Sequence, residues 1–233
     1  MNFVSKFLLS ASMALMSLSA SASLTPAYDT FGTLAGATFG GTGISNSAVA
    51  IDRFTGRNIF GQATGTITLG LTVTARYANQ AVTNNGAGVF YAAAGVDQTN
   101  AASIAQQLAT WNIDYYIGGD TIANPYSYSL LFDVDPSANE NFKTIYWGLT
   151  NSQNSTNVGF NLVELLSGYS FDPNAIGQYS FILEATNIFT GNIVGMTSVL
   201  VTVGNNTVPE PASLALLALG LVGVAAASRR RKS

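Results

Sequence analysis

The sequence predicts an all-β fold, an antiparallel β-sandwich with short connector helices. Two observations predict this fold class. Apolar and polar residues alternate along several stretches of the central chain, and turn-forming residues separate these stretches. Alternation with a period of two places the apolar side chains on one face, so each stretch predicts a half-buried strand. Many such strands, with only short helical patterns between them, favour two packed antiparallel sheets.

The clearest strand is predicted at residues 64–76, where Ile67, Leu69, Leu71 and Val73 alternate with threonines. Further strands are predicted at 111–117, 126–134, 145–149, 179–185 and 193–203. Turn signals lie at 84–86, 118–120, 135–137, 172–174 and 190–192. The stretches 101–109 and 160–166 favour short connecting helices, and the glycine-rich stretch 34–46 favours a loop.

The end of the central region resembles the last two strands of an immunoglobulin-like domain. Gly-Gln-Tyr-Ser-Phe at 177–181 is followed by an apolar strand at 199–203. The resemblance implies that the hydroxyl of Tyr179 serves as a corner residue near the start of the penultimate strand. The Cys…Trp…Cys core of immunoglobulins is absent, because the chain has no cysteine. A jelly-roll-like sandwich is the alternative architecture.

The first residues are typical of a targeting segment rather than of the fold. Lys6 precedes about a dozen apolar or small residues, as in the n-region and h-region of a secretory signal. Ala20-Ser21-Ala22 fits the small-x-small cleavage rule. The sequence therefore predicts a signal peptide at 1–22, cleaved after Ala22, and a single β-sandwich body at 23–207.

The last residues, 208–233, form a third segment with three parts in fixed order. A Pro-Glu-Pro motif leads an apolar stretch of about 16 residues, which as a helix would be roughly 24 Å long and is predicted to cross a membrane. A basic cluster ends the segment and is expected to stay in the cytoplasm. The motif and the cluster consist of Pro209, Glu210, Pro211, Arg229, Arg230, Arg231 and Lys232.

This order resembles the PEP-CTERM sorting domain of exported proteins in Gram-negative bacteria, and it is also similar to the C-terminal segment of some ice-binding proteins. The resemblance identifies the seven residues just named as the sorting motif. It implies export through the Sec machinery, an inner-membrane-anchored precursor, and processing by an exosortase, an integral membrane cysteine protease. The processed chain is then expected at the cell surface or outside the cell.

The charge of the body argues against a polyanionic partner. Between residues 23 and 208 there are four basic and eleven acidic residues, a net charge of −7. Nucleic-acid binding requires clustered Lys and Arg to neutralise phosphates, so no nucleic acid is expected as a partner.

The composition also argues against most catalysis. The chain contains neither histidine nor cysteine, which removes the usual base and the usual thiol nucleophile. Lys143 is the only lysine of the body for a Ser–Lys arrangement, and nothing in the spacing of Glu140, Glu164 and Glu184 pairs two carboxylates as a glycosidase requires. We therefore predict no enzyme, no catalytic residue and no cofactor.

One short stretch has the oxygen-rich composition of a calcium loop. Asp133, Asp135, Asn139 and Glu140 offer several oxygen ligands within eight residues, although the glycine and the spacing of an EF-hand are missing. An Asp-Pro turn that closes a hairpin is the favoured interpretation, so no metal ligand is predicted. Calcium binding near Asp133 and Asp135 stays open.

Two patterns bear on ligand binding. The threonines at 66, 68, 72 and 74 share one strand face, which invites comparison with ice-binding surfaces, although threonine is common on the wet face of any sheet. Tyr91, Tyr116 and Tyr126, if exposed, suit stacking on sugar rings.

The function predicted from the sequence is that of an envelope, surface or extracellular (biofilm) matrix protein with a non-catalytic body. A carbohydrate- or exopolysaccharide-binding module is the first alternative, and a polysaccharide-active enzyme is the second.

Overall fold

The structure, a computed structural model, describes residues 24–119, 125–137, 139–149 and 153–204. The predicted signal peptide at 1–22 and the predicted sorting segment at 208–233, with its expected membrane helix, lie outside these residues. Within the described ranges, no helix is both long enough and apolar enough to cross a membrane.

The described residues are mostly strand, as predicted. The strands are β1 (Thr30–Gly32), β2 (Val49–Arg57), β3 (Ala63–Ala75), β4 (Thr83–Asn84), β5 (Val89–Ala93), β6 (Trp111–Gly118), β7 (Tyr126–Asp133), β8 (Phe142–Leu149), β9 (Gln153–Thr156), β10 (Gly177–Asn187) and β11 (Ile193–Gly204). The two helices of this part of the chain are α1 (Ala101–Ala105) and α2 (Asn161–Ser167).

The strands form two sheets. The first has the order β1-β2-β3-β6-β9, and the second has the order β4-β5-β11-β10-β7-β8. Neighbouring strands are antiparallel, except that β5 runs parallel to β11. A continuous apolar core joins the inner faces of the two sheets. Trp111 of the first sheet meets Phe181 of the second edge-on, with ring centroids 6.1 Å apart, and Phe181 stacks on Phe132 at 4.9 Å.

The six predicted strands all form, as β3, β6, β7, β8, β10 and β11. Both predicted helices also form, although the first is shorter than predicted. It ends at Ala105, since Gln107 adopts a left-handed backbone conformation with φ of 54°. The second helix ends at Gly168, whose φ of 68° suits the left-handed cap that glycine adopts without strain.

The predicted corner role of Tyr179 is wrong. Its ring packs in the core against Phe132 and Phe171, but its hydroxyl makes no hydrogen bond in the part of the chain that the structure describes. Burial raises the pKa of this hydroxyl above the usual tyrosine value, which keeps it neutral.

The loop 34–46 covers the outer face of the first sheet and forms a second apolar cluster there. Leu34, Ala37 and Phe39 pack with Val49 and Ile51 of β2. The side chain of Gln153 fixes the loop, because its Oε1 accepts the backbone N–H groups of residues 38 and 39 at 2.9 and 2.8 Å. Part of the outer face is therefore buried under the loop rather than exposed to water.

Candidate functional site

A groove of about 610 Å³ lies where this covering loop meets the end of β3 on the outer face of the first sheet. Its floor and walls include Thr74, Arg76, Tyr77, Asn112 and Ser155, and residues 41–45 of the loop form the opposite wall. The volume is within the range of small-molecule sites in proteins. The lining is rich in hydroxyl and amide groups, with one aromatic ring.

Tyr77 stands at the rim of the groove in a strained conformation. Its side chain is 68 % exposed, and its φ of 49° is one that a bulky residue rarely adopts. The guanidinium of Arg76 lies 4.6 Å from the centre of the Tyr77 ring, within cation–π distance. Such strain persists only where the surrounding structure imposes it, and it is often found at ligand sites.

Arg76 is held in place by a buried carboxylate. Its Nε donates to Oδ2 of Asp97 at 3.1 Å, the one ion pair among the described residues. Asn79 and Thr99 donate to Oδ1 of the same carboxylate at 2.8 and 2.6 Å. Burial by itself would raise the pKa of Asp97, but hydrogen bonds from Ser103, Thr99 and Asn79 outweigh it and lower that pKa well below its usual range. The charge of Arg76 is therefore neutralised inside the protein.

Asp114 lies directly behind the groove. It is fully buried between Thr72 of β3 and Ser155 of β9, and Thr74 Oγ1 donates to its Oδ2 at 2.7 Å. Its Oδ1 has no hydrogen-bond partner in the described parts of the chain. Burial raises the pKa of Asp114 to about 7, against the lowering effect of the Ser155 and Thr74 hydroxyls. The buried carboxyl of Asp114 thus holds the hydroxyl of Thr74, one of the residues that line the groove.

A buried asparagine fixes the strands that carry the groove. Asn157 Nδ2 donates to the carbonyls of Ala109 and Trp111 and to Oδ1 of Asn112, all within 2.9 Å. Its Oδ1 accepts the N–H of Ala109 at 2.9 Å. Asn112 in turn donates to Ser155 Oγ at 3.0 Å. Two groove residues are therefore oriented by a fully bonded network.

A smaller cleft of about 170 Å³ shares Arg76 and Ser155 with the groove. Its other lining residues are Tyr146, Asn154, Thr156, Asn157 and Phe160. The two concavities together form a polar surface that continues past the edge strand β9.

The residues that were weighed for catalysis lie on different elements of the structure, except for Glu140 and Lys143, which are three residues apart. Glu140 lies in the turn between β7 and β8, Glu164 lies on α2, and Glu184 lies in the middle of β10. Lys143 is exposed on the edge strand β8. Burial raises the pKa of Glu184. None of these side chains lines the groove.

In the acidic stretch, residues 133–137 and 139–140 are described, and its carboxylates accept backbone N–H groups of neighbouring residues. Asp133 Oδ1 accepts the N–H groups of Asp135 and Asn141 at 3.2 and 2.8 Å, and Asp135 Oδ1 accepts the N–H of Ser137 at 2.9 Å. Asn139 donates its N–H to Ser137 Oγ, and Glu140 is exposed. Over the described ranges, no three acidic side chains come close enough together to hold a metal ion.

The threonine face is not an open array. Thr66 is exposed, but Thr72 is buried and donates to the carbonyl of Ala48 at 2.7 Å. Gly70, on the same face, leaves space for Leu34, since a Cβ there would lie 2.7 Å from Leu34 Cδ2. A flat water-facing row, as ice binding requires, does not form on this strand.

The tyrosines proposed for sugar stacking are only half-exposed. Tyr116 packs against the second apolar cluster, and Tyr91 is half-buried on β5. Tyr126 meets Phe54 edge-on at 5.7 Å, and its hydroxyl accepts the N–H of Arg57 at 3.0 Å. The sequence analysis did not single out the exposed Tyr77, which comes just after the alternation of β3 ends.

A carboxylate pair was also missed, although it serves the fold. Asp29 and Asp52 become neighbours because β1 pairs with β2. Asp29 Oδ2 accepts the N–H of Arg53 at 2.8 Å, and Asp52 Oδ2 accepts the N–H of Met196 at 3.0 Å. Burial, and then the charge of Asp29, raise the pKa of Asp52. The pair links the first sheet to β11.

Comparison with known proteins assigns the tail. Residues 207–232 match the family model of the PEP-CTERM protein-sorting motif, which confirms the resemblance seen in the sequence. No curated protein and no solved structure shows significant similarity to the chain. The motif marks an exported protein that is sorted to the cell envelope or surface of a Gram-negative bacterium, with an exosortase as the processing partner.

Proposed function

We propose that this chain is a non-catalytic envelope, surface or matrix protein whose body binds a neutral saccharide in the groove beside Tyr77. The observation that carries this proposal is the lining of the groove, which combines four serine and threonine hydroxyl groups and one asparagine amide with one exposed aromatic ring. Sugar hydroxyls pair with such groups, and the apolar face of a pyranose suits an aromatic ring.

The charge distribution supports a neutral ligand. Asp97 already neutralises Arg76, the cation in the groove lining, and the body is acidic overall. A polyanionic saccharide would therefore meet repulsion without a compensating positive patch. Among the described residues, the groove lining contains no carboxylate, and Asp114 is buried behind it, which supports binding rather than hydrolysis, because glycoside hydrolysis uses two carboxylates.

The fold proposed for this binding body is immunoglobulin-like. In the second sheet the last strand, β11, pairs with β10, and β10 pairs with β7, which is the order of the GFC sheet of that fold. The first sheet departs from that fold, because its strand β6, between β3 and β9, precedes β7 in the chain, whereas strand E of the immunoglobulin fold follows strands C and D. The paired strands β1 and β2 lie at the edge of the first sheet.

The proposed route to the cell surface follows the sorting motif. After Sec export and removal of residues 1–22, the apolar stretch is proposed to anchor a precursor in the inner membrane. The exosortase then cleaves near Pro209-Glu210-Pro211. Intact mass of the surface form tests this route: we expect Ser23 at its start and no basic cluster Arg229–Lys232, whereas Glu210→Ala leaves the full tail attached. A released native chain with residues 212–233 intact contradicts it.

Saccharide binding is tested by affinity electrophoresis and calorimetry with neutral glucans, mannans and galactans, together with the exopolysaccharide of the host. Tyr77→Ala is expected to weaken binding roughly 3- to 10-fold, the effect of losing one aromatic contact. Tyr77→Phe keeps the ring and should keep most of the affinity. Tyr91→Ala is the matched control, since Tyr91 lies on β5 in the other sheet.

Two outcomes contradict the proposal. Equal loss of binding in the Tyr77→Ala and Tyr91→Ala variants would show that the groove beside Tyr77 is not a specific saccharide site. Release of oligosaccharides during the incubations would show that the body is an enzyme.

A further inference from the structure

Ten of the twelve large apolar side chains that are exposed in the described residues fall into two sets, and the other two are Tyr77 and Ile104. One set lies on two hairpin turns: Ile59, Phe60, Ile188, Phe189 and Ile193. A second set, here called the exit surface, comprises Phe160, Leu162, Leu165, Leu166 and Ile176. Leu165 is 79 % exposed and Ile176 is 71 % exposed. Clustered apolar side chains of this size on a monomer usually mark an interaction surface.

The exit surface is built mainly by α2, a helix that presents its apolar side to the outside. Val163 is its buried residue and attaches it to the core, while Leu162, Leu165 and Leu166 point away from the core. The Ser167 hydroxyl donates to the carbonyl of Val163 at 2.7 Å and closes the last turn. A surface helix normally places its leucines inward, so this orientation needs a partner.

The exit surface lies at the end of the body where the chain leaves toward the sorting segment. Ile176 comes just before β10 and lines a shallow pocket with Val203 and Gly204, the last residues of β11. The residues that follow α2 lie in the same region, because the ring of Phe171 packs on the rings of Trp111 and Tyr179. Tyr179 pairs with residue 201 of β11.

The distance along the chain to the apolar stretch of the tail is short. Seven residues, 205–211, separate Gly204 from the start of that stretch. Even fully extended, the eight peptide steps from residue 204 to residue 212 span no more than about 29 Å. An anchored precursor therefore keeps the end of β11 within about 29 Å of the membrane. The hairpin turns at 59–60 and 188–189 lie at the other end of β11, about 36 Å from Gly204 at the strand rise.

We propose that the exit surface rests on the lipid bilayer while the precursor is anchored. This inference rests on the anchored precursor of the proposed function. The contact is apolar rather than electrostatic, because Glu164 and Asp172 are the charged neighbours of these leucines along the chain and both are acidic. The surface thus fixes how the body sits on the membrane and does not require anionic lipid.

The chain has no cysteine, so single-cysteine labelling of the full-length protein tests the contact directly. Leu165→Cys reports on the exit surface, and Phe189→Cys, which is 71 % exposed at the opposite end, is the matched control. Both sites are exposed, so neither substitution should disturb folding. Each variant carries an environment-sensitive fluorophore and is reconstituted through its tail into phosphatidylcholine vesicles with and without spin-labelled lipid.

The expected result is a blue-shifted emission at position 165 that spin-labelled lipid quenches, with neither effect at position 189. Adding phosphatidylglycerol should not increase the quenching at 165. Full-length protein that floats with the vesicles but shows no quenching at 165 overturns this inference and leaves the anchor standing. Disulfide-linked dimers of the unlabelled Leu165→Cys variant, again without quenching, would assign the surface to a second copy. Failure of the wild-type chain to float with vesicles overturns the anchored precursor and this inference together.

Discussion

The buried carboxyl of Asp114 is predicted to make the free energy of unfolding depend on pH, and the substitution Asp114→Asn is predicted to remove this contribution. The side chain is fully buried, and its Oδ1 has no hydrogen-bond partner in the described residues. The folded protein therefore favours the protonated acid, and burial raises the pKa of Asp114 from 3.8 to about 7. Asparagine has the same shape as the neutral acid and never ionises.

The sign of the effect follows from proton binding. Between about pH 4 and pH 7 the folded state keeps the proton on Asp114 and the unfolded state releases it, so the free energy of unfolding falls as the pH rises. The stabilisation is fully present below the unfolded pKa of 3.8 and is lost by the time the pH passes about 7. At 1.36 kcal/mol for each pKa unit, the loss is on the order of 4 kcal/mol.

The measurement is urea unfolding of the wild type and Asp114→Asn from about pH 4 to about pH 8.5, followed by tryptophan fluorescence. Burial also raises the pKa values of Asp52, Asp133 and Glu184, but these effects are common to both proteins and cancel in the difference. The variant should match the wild type near pH 4 and exceed it above pH 7. Asp172→Asn, which removes an exposed charge, is the control. A stability difference between Asp114→Asn and wild type that stays constant with pH would refute the reasoning.

Three further predictions concern the groove and its supports. The free energy of unfolding, measured with urea, should be about 0.5–1 kcal/mol higher for Tyr77→Gly than for Tyr77→Ala. Both variants lose the ring, and only glycine adopts the positive φ of this position without strain. Asn157→Ala should lower the free energy of unfolding by roughly 3–5 kcal/mol, because it leaves buried backbone groups of Ala109 and Trp111 without partners. Asn154→Ala, on the exposed edge strand, is the control and should lower it by less than about 0.5 kcal/mol. Gln153→Ala should lower stability by about 1–2 kcal/mol and speed amide exchange at residues 38 and 39, and unchanged exchange there would show that Gln153 does not hold the loop.

The strands that the sequence predicts are mainly those in which apolar and polar residue types alternate along the chain. The alternation from Ile67 to Val73 in β3 is a local property, and the sheet follows from it. Strands without alternation were missed. Residues 153–156, Gln-Asn-Ser-Thr, are all polar, and they become β9 only because β6 offers an unpaired edge. Val49–Arg57 was missed because Val49, Ala50 and Ile51 are all buried, on two faces, which breaks the period of two.

The groove could not be predicted from local sequence patterns, because residues that are far apart in the chain form its walls. Alternation correctly places Asp114 on the outer face of β6, and an outer face normally means water. At this position Thr72 and Ser155 flank Asp114 on the neighbouring strands, and Asp114 is buried. The loop 34–46 packs on the same sheet and is bound by Gln153, which is 115 residues from Thr38 in the chain. The same loop supplies one wall of the groove. The packing of this loop therefore contributes both to the dry outer face of the first sheet and to the concavity that is proposed to bind a saccharide. Loosening the loop should alter these two properties together.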